Sequence, residues 1–298
     1  MIYHQVLPKP DVMRPYEVAA DLFEQHLILL SENFTVLTLE DAISRLEAGT
    51  LPRNPAVITF DDGYENNASV ALPLLQKYQL PATFFIASDF LNGGAMWNDK
   101  VIETVRHCKG DTLSLDWLPG RSFDISSEHA RCKSASDLLK EFKYLPFDKR
   151  LEAVDKFVGD SLDLSRFMMT DAQVKELYDA GMEIGGHTCS HPILAKLSDQ
   201  EAYTQIKENK NYLETLLNTQ LSSFAFPNGR PDTDFYSNTV AQVKKTGYKY
   251  AVSTSYGVSD KRSDRFQLPR FTPWRNDKTG FLGLMCKNYL SRGELATR

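Results

Sequence analysis

The sequence predicts an α/β fold built on a parallel sheet that curls into a barrel. Short apolar runs bounded by Gly, Pro, Asn or Asp alternate with longer segments of helical periodicity, which is typical of successive βα units. Half a dozen or more such units fit into the 298 residues, and this number favours a barrel, closed or incomplete. In such barrels the functional residues lie on loops at the C-terminal ends of the strands.

The predicted elements alternate along most of the chain. Strands are expected at the short apolar runs, at residues 2–6, 56–60, 82–87, 183–186, 223–226, 250–253 and 266–268. Helices are expected where apolar residues recur at helical spacing, at residues 15–32, 39–48, 68–78, 170–180, 199–217 and 234–245.

Residues 98–166 depart from this alternation. The stretch is richer in charged residues, holds two of the four cysteines and has weak periodicity. We expect an insertion with helices at residues 99–106, 136–143 and 149–158, which forms a lid or a substrate-side subdomain.

The composition disfavours several classes of protein. The chain has 34 Lys and Arg against 39 Asp and Glu, a net charge of −5, so a broad nucleic-acid-binding surface is not expected. No stretch approaches the roughly 18 apolar residues of a membrane span. The first residues lack the basic and apolar regions of a secretory signal. We therefore expect a cytoplasmic protein, or an extracytoplasmic one if a leader has been removed. The oligomeric state is left open.

Two adjacent carboxylates follow one of the predicted strands. Asp61 and Asp62 precede Gly63 and come directly after the apolar run at 56–60. Gly63 permits a turn that brings both carboxylates into one site, and two close carboxylates repel unless a cation or a proton intervenes. A metal on one would leave the other free to act as a base. The pattern also occurs in solvated turns, because Asp and Gly are common turn residues.

Two histidines follow another predicted strand. His187 and His191 lie four residues apart, and Pro192 disfavours a helix at this point, so both are placed on a loop above the strand at 183–186. Neutral imidazoles suit zinc and similar metals. Taken alone, the pair fits two polar loop histidines equally well.

Combined, the two segments predict a metal centre. One Asp and two His give three protein ligands and leave positions for water and substrate, as in catalytic zinc sites. This favours metal-assisted hydrolysis of an acyl or amide bond, with the spare Asp taking a proton from water. Two His and one carboxylate also suit Fe(II). A non-haem iron oxygenase is therefore an alternative, although the α/β pattern disfavours it.

These segments resemble the first two motifs of the polysaccharide deacetylases, the NodB-homology or carbohydrate esterase family 4 group. Residues 80–85 are similar to the family's next strand, and residues 180–187 are similar to its lead into the histidine motif. The resemblance runs from about residue 55 to about residue 269 and is interrupted by the insertion.

The resemblance implies a distorted (β/α)7 barrel that removes an acetyl group from an N-acetylated glycan. It implies Asp61 as the catalytic base. It implies Asp62, His187 and His191 as ligands of a divalent metal, for which zinc is favoured and Co²⁺ or Ni²⁺ are alternatives. Because these motifs span most of the chain, one barrel over residues 1–298 with an insertion at 98–166 fits better than two domains.

The third family motif departs from the common pattern. Many members carry Arg-x-Pro-Tyr, in which the Arg orients the base, whereas Ala225 stands at that Arg position here. The backbone N–H of Asn228 can still donate to an oxyanion, since no particular side chain is needed. Arg270, from a later segment, is the candidate partner of Asp61, with a structural ion pair elsewhere as the alternative.

The last family motif, Leu-x-His near the C-terminus, is missing, and no histidine follows His191. The Ile-Tyr-His at residues 2–4 is similar to the same strand moved to the front. This arrangement resembles the circularly permuted subgroup that acts on poly-N-acetylglucosamine and other exopolysaccharides. His4 is then implied as the general acid for the leaving amine, with a buried, hydrogen-bonded strand histidine as the alternative.

The sequence thus predicts a metal-dependent N-deacetylase acting on a glycan that contains N-acetylhexosamine, or on its precursor. One rival is another C–N or ester hydrolase on the same scaffold, acting on a cyclic amide or on acetylated xylan. A second is a glycan-binding module whose catalysis has decayed, which the Ala at the third motif favours and the intact Asp and His motifs oppose. Trp97, Trp117 and Trp274 are candidates for stacking on sugar rings, with core packing as the alternative.

Overall fold

The chain adopts a mixed α/β fold around a curled parallel sheet. The computed structural model describes residues 1–115, 118, 120–143, 145–158, 162–273, 275 and 277–297. The strands are β1 (Ile2–Tyr3), β2 (Val6–Leu7), β3 (Val18–Ala19), β4 (Thr35–Leu37), β5 (Pro55–Val57), β6 (Thr59–Phe60), β7 (Thr83–Ile86), β8 (Thr112–Ser114), β9 (Ser122–Asp124), β10 (Glu183–Gly186), β11 (Ser223–Ala225) and β12 (Tyr250–Val252).

The helices cover the sheet and build a separate layer beside it. They are α1 (Ala20–Asn33), α2 (Leu39–Ala48), α3 (Leu72–Lys77), α4 (Trp97–His107), α5 (Glu128–Lys143), α6 (Phe147–Val158), α7 (Asp171–Asp179), α8 (Asp199–Leu217), α9 (Ser237–Lys245) and α10 (Lys278–Tyr289). A π-helical turn at Asn67–Ala71 precedes α3, and short 3₁₀ turns lie at Ser88–Phe90 and Leu194–Lys196.

The main sheet contains six paired strands among the described residues, in the order β1-β6-β7-β10-β11-β12. All five pairings are parallel. The segment after β12 brings the two edges together, because Leu268 forms a parallel bridge with Val252 and Ile2 N–H donates to the Phe271 carbonyl (2.8 Å). The expected α/β barrel of the NodB type is confirmed, with an irregular segment in place of a seventh regular strand.

The strands are short and apolar because both faces of the sheet are covered, as is usual for parallel sheets. All four residues of β7 are buried. Phe60 of β6 stacks on Phe84 of β7 with ring centroids 4.6 Å apart, and both rings are fully buried. Burial of one such ring stabilises the fold by about 1.5–3 kcal/mol, so these side chains fix the sheet that carries the loops.

A second apolar cluster lies within residues 98–166. Val101 and Val105 of α4 pack with Leu138 and Phe142 of α5 and with Val154 of α6. The antiparallel pair β8–β9 lies beside these helices. This separate core supports our proposal that the stretch is an insertion into one barrel.

Several element boundaries differ from the sequence predictions. The helix expected at 15–32 begins at Ala20, because β3 instead pairs with β2. The helix expected at 136–143 begins at Glu128. The strand expected at 266–268 contributes only the bridge at Leu268. Among the described helices, none combines the length and apolar character that a bilayer crossing requires.

Candidate active site

The two adjacent carboxylates lie at the C-terminal end of β6 and line one cavity of about 990 Å³. Asp61 is 3% exposed and Asp62 is 6% exposed. Neighbouring residues on a regular strand point to opposite faces, but Asp62 (φ 79°) and Gly63 (φ 93°) have left-handed backbone conformations. This turn carries both side chains to the same side, as the sequence analysis expected from Gly63.

The two histidines meet Asp62 from the loop after β10. His187 Nε2 and His191 Nε2 each lie 3.4 Å from Asp62 Oδ1. One potential ligand atom from each of the three residues lies within 4.8 Å of the other two. The loop reaches this geometry through left-handed backbone conformations at Thr188 (φ 65°) and His191 (φ 51°).

The three side chains fit a divalent metal. Asp62 Oδ1 is buried and has no hydrogen-bond partner among the described residues, although a buried carboxylate oxygen without a partner is costly. His187 Nδ1 lies 2.7 Å from the Ala225 carbonyl oxygen. Since a carbonyl only accepts, Nδ1 carries the proton and Nε2 turns its lone pair towards Asp62. Burial lowers the pKa of His191 to about 4, which keeps this imidazole in the neutral form that metals bind.

Asn209 of α8, which was not predicted from the sequence, fixes the start of the histidine loop. Its Oδ1 accepts the His187 backbone N–H (3.1 Å). Its Nδ2 donates to the Ile86 carbonyl (3.0 Å) and to Ser88 Oγ (3.1 Å). The side chain is fully buried. The only feature of the sequence that could have predicted this role is an amide at a position where the helical pattern places apolar residues.

Arg270 binds Asp61 through both terminal guanidinium nitrogens. Nη1 donates to Asp61 Oδ1 (2.7 Å) and Nη2 donates to Oδ2 (2.8 Å). Thr59 Oγ1 and the Ser253 carbonyl accept further bonds from the same guanidinium. Burial alone would raise the pKa of Asp61, but the charge and hydrogen bonds of Arg270 hold it below its usual range. Asp61 is therefore ionised and fixed in orientation.

The remaining candidates, His4 and Asn228, line the same cavity. Burial alone would lower the pKa of His4, but Asp62, Glu17 and Asp61 together raise it above its ordinary value. Asn228 has a left-handed backbone conformation (φ 57°), and the Thr254 hydroxyl donates to its carbonyl (2.7 Å). The structure thus brings to one cavity every predicted site residue, namely Asp61, Asp62, His187, His191, His4, Asn228 and Arg270.

The sequence offered weaker evidence, or none, for other side chains that line the cavity. Trp97 lines it, whereas Trp117 and Trp274 lie outside the described residues. Glu17 also lines the cavity, and its Oε2 accepts the Gln5 backbone N–H (3.1 Å). Glu17 was not predicted from the sequence, because an isolated acid before a helix has no distinguishing pattern.

The chain matches a known protein family over most of its length. The profile described as "Polysaccharide deacetylase" matches residues 48–109 and 122–251. The chain belongs to the polysaccharide deacetylase family. A curated relative, YxkH of Bacillus subtilis (strain 168), is provisionally named a polysaccharide deacetylase and is 22% identical over 250 residues, 83% of this chain. The aligned region spans only 62% of that relative's length.

Solved structures of deacetylases share the fold of this family member. The Streptococcus pyogenes deacetylase PplD, solved with acetate, matches with a TM-score of 0.61 at 22% identity and covers 91% of this chain and 89% of its own. IcaB from Ammonifex degensii matches with a TM-score of 0.62 at 17% identity over 96% and 94% of the two chains. At these identities the matches establish the fold of this deacetylase-family chain and not its substrate.

Proposed function

We propose that this protein is a metal-dependent N-deacetylase that acts on a polysaccharide containing N-acetylhexosamine, or on its precursor. The observation that carries the proposal is the contrast between the two adjacent acids. Asp62 Oδ1 is buried without a hydrogen-bond partner in the described part of the chain and faces two imidazole nitrogens. Asp61 is held ionised by Arg270. Metal-assisted hydrolysis of an amide uses a cation site together with a base.

Asp62, His187 and His191 would hold the metal, for which zinc is favoured and Co²⁺ or Ni²⁺ are alternatives. Two nitrogens and one carboxylate oxygen suit these borderline cations. When bound, such a cation supplies Lewis acidity that makes water more acidic and polarises the acyl oxygen.

The chain's own residues supply the proton transfers. Water adds to the acetyl carbonyl carbon while Asp61 accepts its proton, and Arg270 keeps the Asp61 carboxylate oriented. The Asn228 N–H donates to the oxygen that becomes negative. His4 then donates a proton to the amine nitrogen as the C–N bond breaks, which leaves acetate and a free amino sugar.

The decayed-module alternative loses its main support in this geometry. Ala225 lacks the side chain that orients the base in many family members, but Arg270 reaches Asp61 from a different segment and binds both of its oxygens. The Ala225 carbonyl meanwhile orients His187. The departure from the third motif is therefore compatible with an active site.

An assay of acetate release, with ring opening followed separately for cyclic ureides, tests the proposal. The full chain is loaded with zinc and offered chitooligosaccharides, acetylated xylan and cyclic ureides, with Asp61→Asn as the control for contaminating activity. We expect acetate from the N-acetylated oligosaccharides and at least about a hundredfold less with the variant. Release from xylan esters alone, or opening of cyclic ureides alone, would assign the protein to another hydrolase class.

A further inference from the structure

His4, the candidate general acid, lies between two short strands and not within either of them. β1 ends one residue before it and β2 begins two residues after it. Among the described residues, His4 makes hydrogen bonds through its backbone only. The direction in which its imidazole enters the cavity therefore depends on how the backbone around it is held.

Both peptide groups that flank the Cα atom of His4 are held by other segments of the chain. On the N-terminal side, the Tyr3 carbonyl accepts the Asp61 backbone N–H (3.0 Å). On the C-terminal side, Asn67 Nδ2 donates to the His4 carbonyl (2.7 Å), and Glu17 Oε2 accepts the N–H of the same peptide group (3.1 Å). Since peptide groups are planar, fixing both of them also fixes the direction of the Cα–Cβ bond between them.

Asn67 is the polar contact in this set that does not reach the cavity. Its side chain is fully buried and does not line the cavity. Its Oδ1 has no hydrogen-bond partner among the described residues. Burial of a half-satisfied amide costs free energy, which an apolar side chain of the same size would avoid. Asn67 also begins the π-helical turn that precedes α3, and such turns are rare and frequently lie at functional sites.

The contact of Asn67 with His4 joins the candidate acid to the segment that carries the candidate base. Asn67 follows Asp61 and Asp62 after a short turn, in which its backbone N–H donates to the Tyr64 carbonyl (3.0 Å). One continuous piece of chain therefore carries the base, a candidate metal ligand and the amide that holds the backbone of His4.

We propose that Asn67 is a positioning residue, which holds the His4 backbone so that the imidazole points at the nitrogen of the leaving amine. This inference rests on the proposed function, because it needs His4 to be the general acid of that reaction. Catalysis depends steeply on the placement of the reacting groups, so loss of the Asn67 donor lowers the rate without a change at the metal or the base.

Two substrates with different leaving groups test the inference on the full, zinc-loaded chain. The amine of N-acetylated chitotetraose needs a proton as it leaves, whereas the phenolate of p-nitrophenyl acetate leaves without one. We expect Asn67→Ala to lower kcat for the amide about 10- to 100-fold more than kcat for the ester, as misplacement of a catalytic group does. KM for the amide should stay within about twofold, because Asn67 does not line the cavity.

Matched substitutions separate the lost donor from the lost volume. Asn67→Leu removes the donor and keeps a similar volume, so it should repeat the effect of Asn67→Ala. Ser69→Ala is the control on the same π-helical turn, because Ser69 is exposed and its hydroxyl donates to Glu65. It should keep the ratio of amide to ester turnover. Equal losses for the amide and the ester, or a loss in Asn67→Ala that Asn67→Leu does not share, would overturn the inference.

A double-mutant cycle shows whether Asn67 acts through His4. His4→Ala should lower amide turnover about 10²- to 10⁴-fold, and the addition of Asn67→Ala should lower it little further, because no imidazole is left to position. Additive losses would place the effect of Asn67 elsewhere. Full amide turnover in His4→Ala would overturn both the inference and the general-acid step, while acetate release itself would leave the deacetylase function intact.

NMR signals of the His4 ring report its placement without turnover. Spectra of the zinc-loaded chain at one fixed pH, assigned with His4→Ala, should show the His4 ring signals moved in Asn67→Ala and unmoved in Ser69→Ala. Absence of acetate from every N-acetylated substrate would remove the deacetylase proposal, and these spectra would then decide by themselves whether Asn67 positions His4. Unmoved His4 signals in Asn67→Ala would overturn the inference.

Discussion

Asp61 and Asp62 are neighbours in the sequence, but their surroundings give them different chemistry. Both oxygens of Asp61 accept hydrogen bonds from Arg270. Oδ1 of Asp62 has no hydrogen-bond partner among the described residues and faces His187 and His191. The first carboxylate is thus oriented by a protein cation, while the second is available to an external one.

Isosteric substitution of each acid should separate these two roles. We expect Asp61→Asn to lower kcat for acetate release by about 10²- to 10⁴-fold, the usual contribution of a general base, with zinc content unchanged. Asp62→Asn should lose zinc. Acetate release and elemental analysis of the purified proteins measure the two effects. Full activity in Asp61→Asn would rule out its assignment as the base.

Removal of Arg270 should change the pH dependence of the reaction. Arg270 holds the pKa of Asp61 below its usual range against the effect of burial, so Arg270→Gln raises that pKa. Because a base acts in its ionised form, the acidic limb of the kcat/KM profile should move to higher pH. Arg270→Lys keeps the charge but not the two-point contact, and its limb should move less. If kcat/KM falls at every pH and its acidic limb stays in place, Arg270 orients Asp61 but does not set its pKa.

At the residue scale, the sequence identified the side chains that belong to contiguous motifs. Asp61, Asp62, His187 and His191 were found because Gly and Pro next to them predict turns after strands. Glu17 and Asn209 were missed, since each acts through a contact across the fold. Glu17 meets Gln5 in the segment between β1 and β2, and Asn209 meets His187 because α8 packs on the sheet. Local sequence patterns do not specify either contact.

At the element scale, the end of β10 is packed too closely for any side chain larger than hydrogen. A Cβ on Gly186 would lie 2.1 Å from the Tyr248 hydroxyl oxygen and 2.7 Å from Asn209 Oδ1. Tyr248 is 3% exposed and Asn209 is fully buried, so neither has space to move. This close approach places His187, the next residue, against the Asn209 amide.

Gly186→Ala should therefore both destabilise the fold and disturb the histidine loop. Overpacking of this kind costs about 1–3 kcal/mol, which corresponds to a fall of about 2–4 °C in Tm for each kcal/mol. The displaced Asn209 should also weaken zinc affinity. Gly283→Ala on α10 is the control, because its Cβ would meet no atom within 4 Å. Equal Tm values for the two variants would contradict the packing argument.

Helices and strands with strong local sequence patterns were predicted well. Strands that exist only because they pair with another strand were not predicted. The α8 helix coincides with the predicted range at 199–217, since Ser198 and Glu201 form a capping box and the apolar spacing is regular. The two-residue strands β2 and β3 carry no periodicity of their own and exist because they pair with each other. That pairing also explains why α1 begins later than its apolar pattern suggested.

At the scale of the whole molecule, a buried polar network joins the insertion to the active-site loop. Tyr64, two residues after Asp62, donates to Asp99 Oδ2 (3.0 Å). Arg14 donates to Asp99 Oδ1 (2.5 Å) and to Glu103 (3.0 Å). Burial raises the pKa of Asp99 to about 6 despite the Arg14 charge. This network supports the proposal that residues 98–166 serve one active site rather than a separate domain.

The sequence predicted the fold class, but it did not predict how the two edges of the sheet come together. Alternating strands and helices indicate a parallel sheet, and the number of such units favours a barrel. The contact of Ile2 with Phe271 and the bridge at Leu268 depend on an irregular segment, and irregular segments have no periodicity to detect. The same segment carries Arg270, so the partner of Asp61 was proposed from a family resemblance and not from a local pattern.

The candidate ligands come from two strands that are distant in sequence, which links metal binding to global stability. Asp62 follows β6, and His187 and His191 follow β10, with the insertion between them in the chain. An unfolded chain does not hold these three side chains together, so a metal at this site binds the folded state selectively.

Zinc should therefore raise the thermal midpoint, and a chelator should lower it. A ligand specific for the folded state adds RT ln(1 + [L]/Kd), about 4 kcal/mol when free zinc is a thousandfold above Kd. His187→Ala should abolish the zinc-dependent rise in Tm, while His129→Ala, at an exposed position of α5, should keep it. Scanning calorimetry across a zinc titration measures the slope of Tm against the logarithm of free zinc. A slope in His187→Ala equal to that of the unmodified chain would place the metal elsewhere, because removal of one of three ligands must weaken binding at this site.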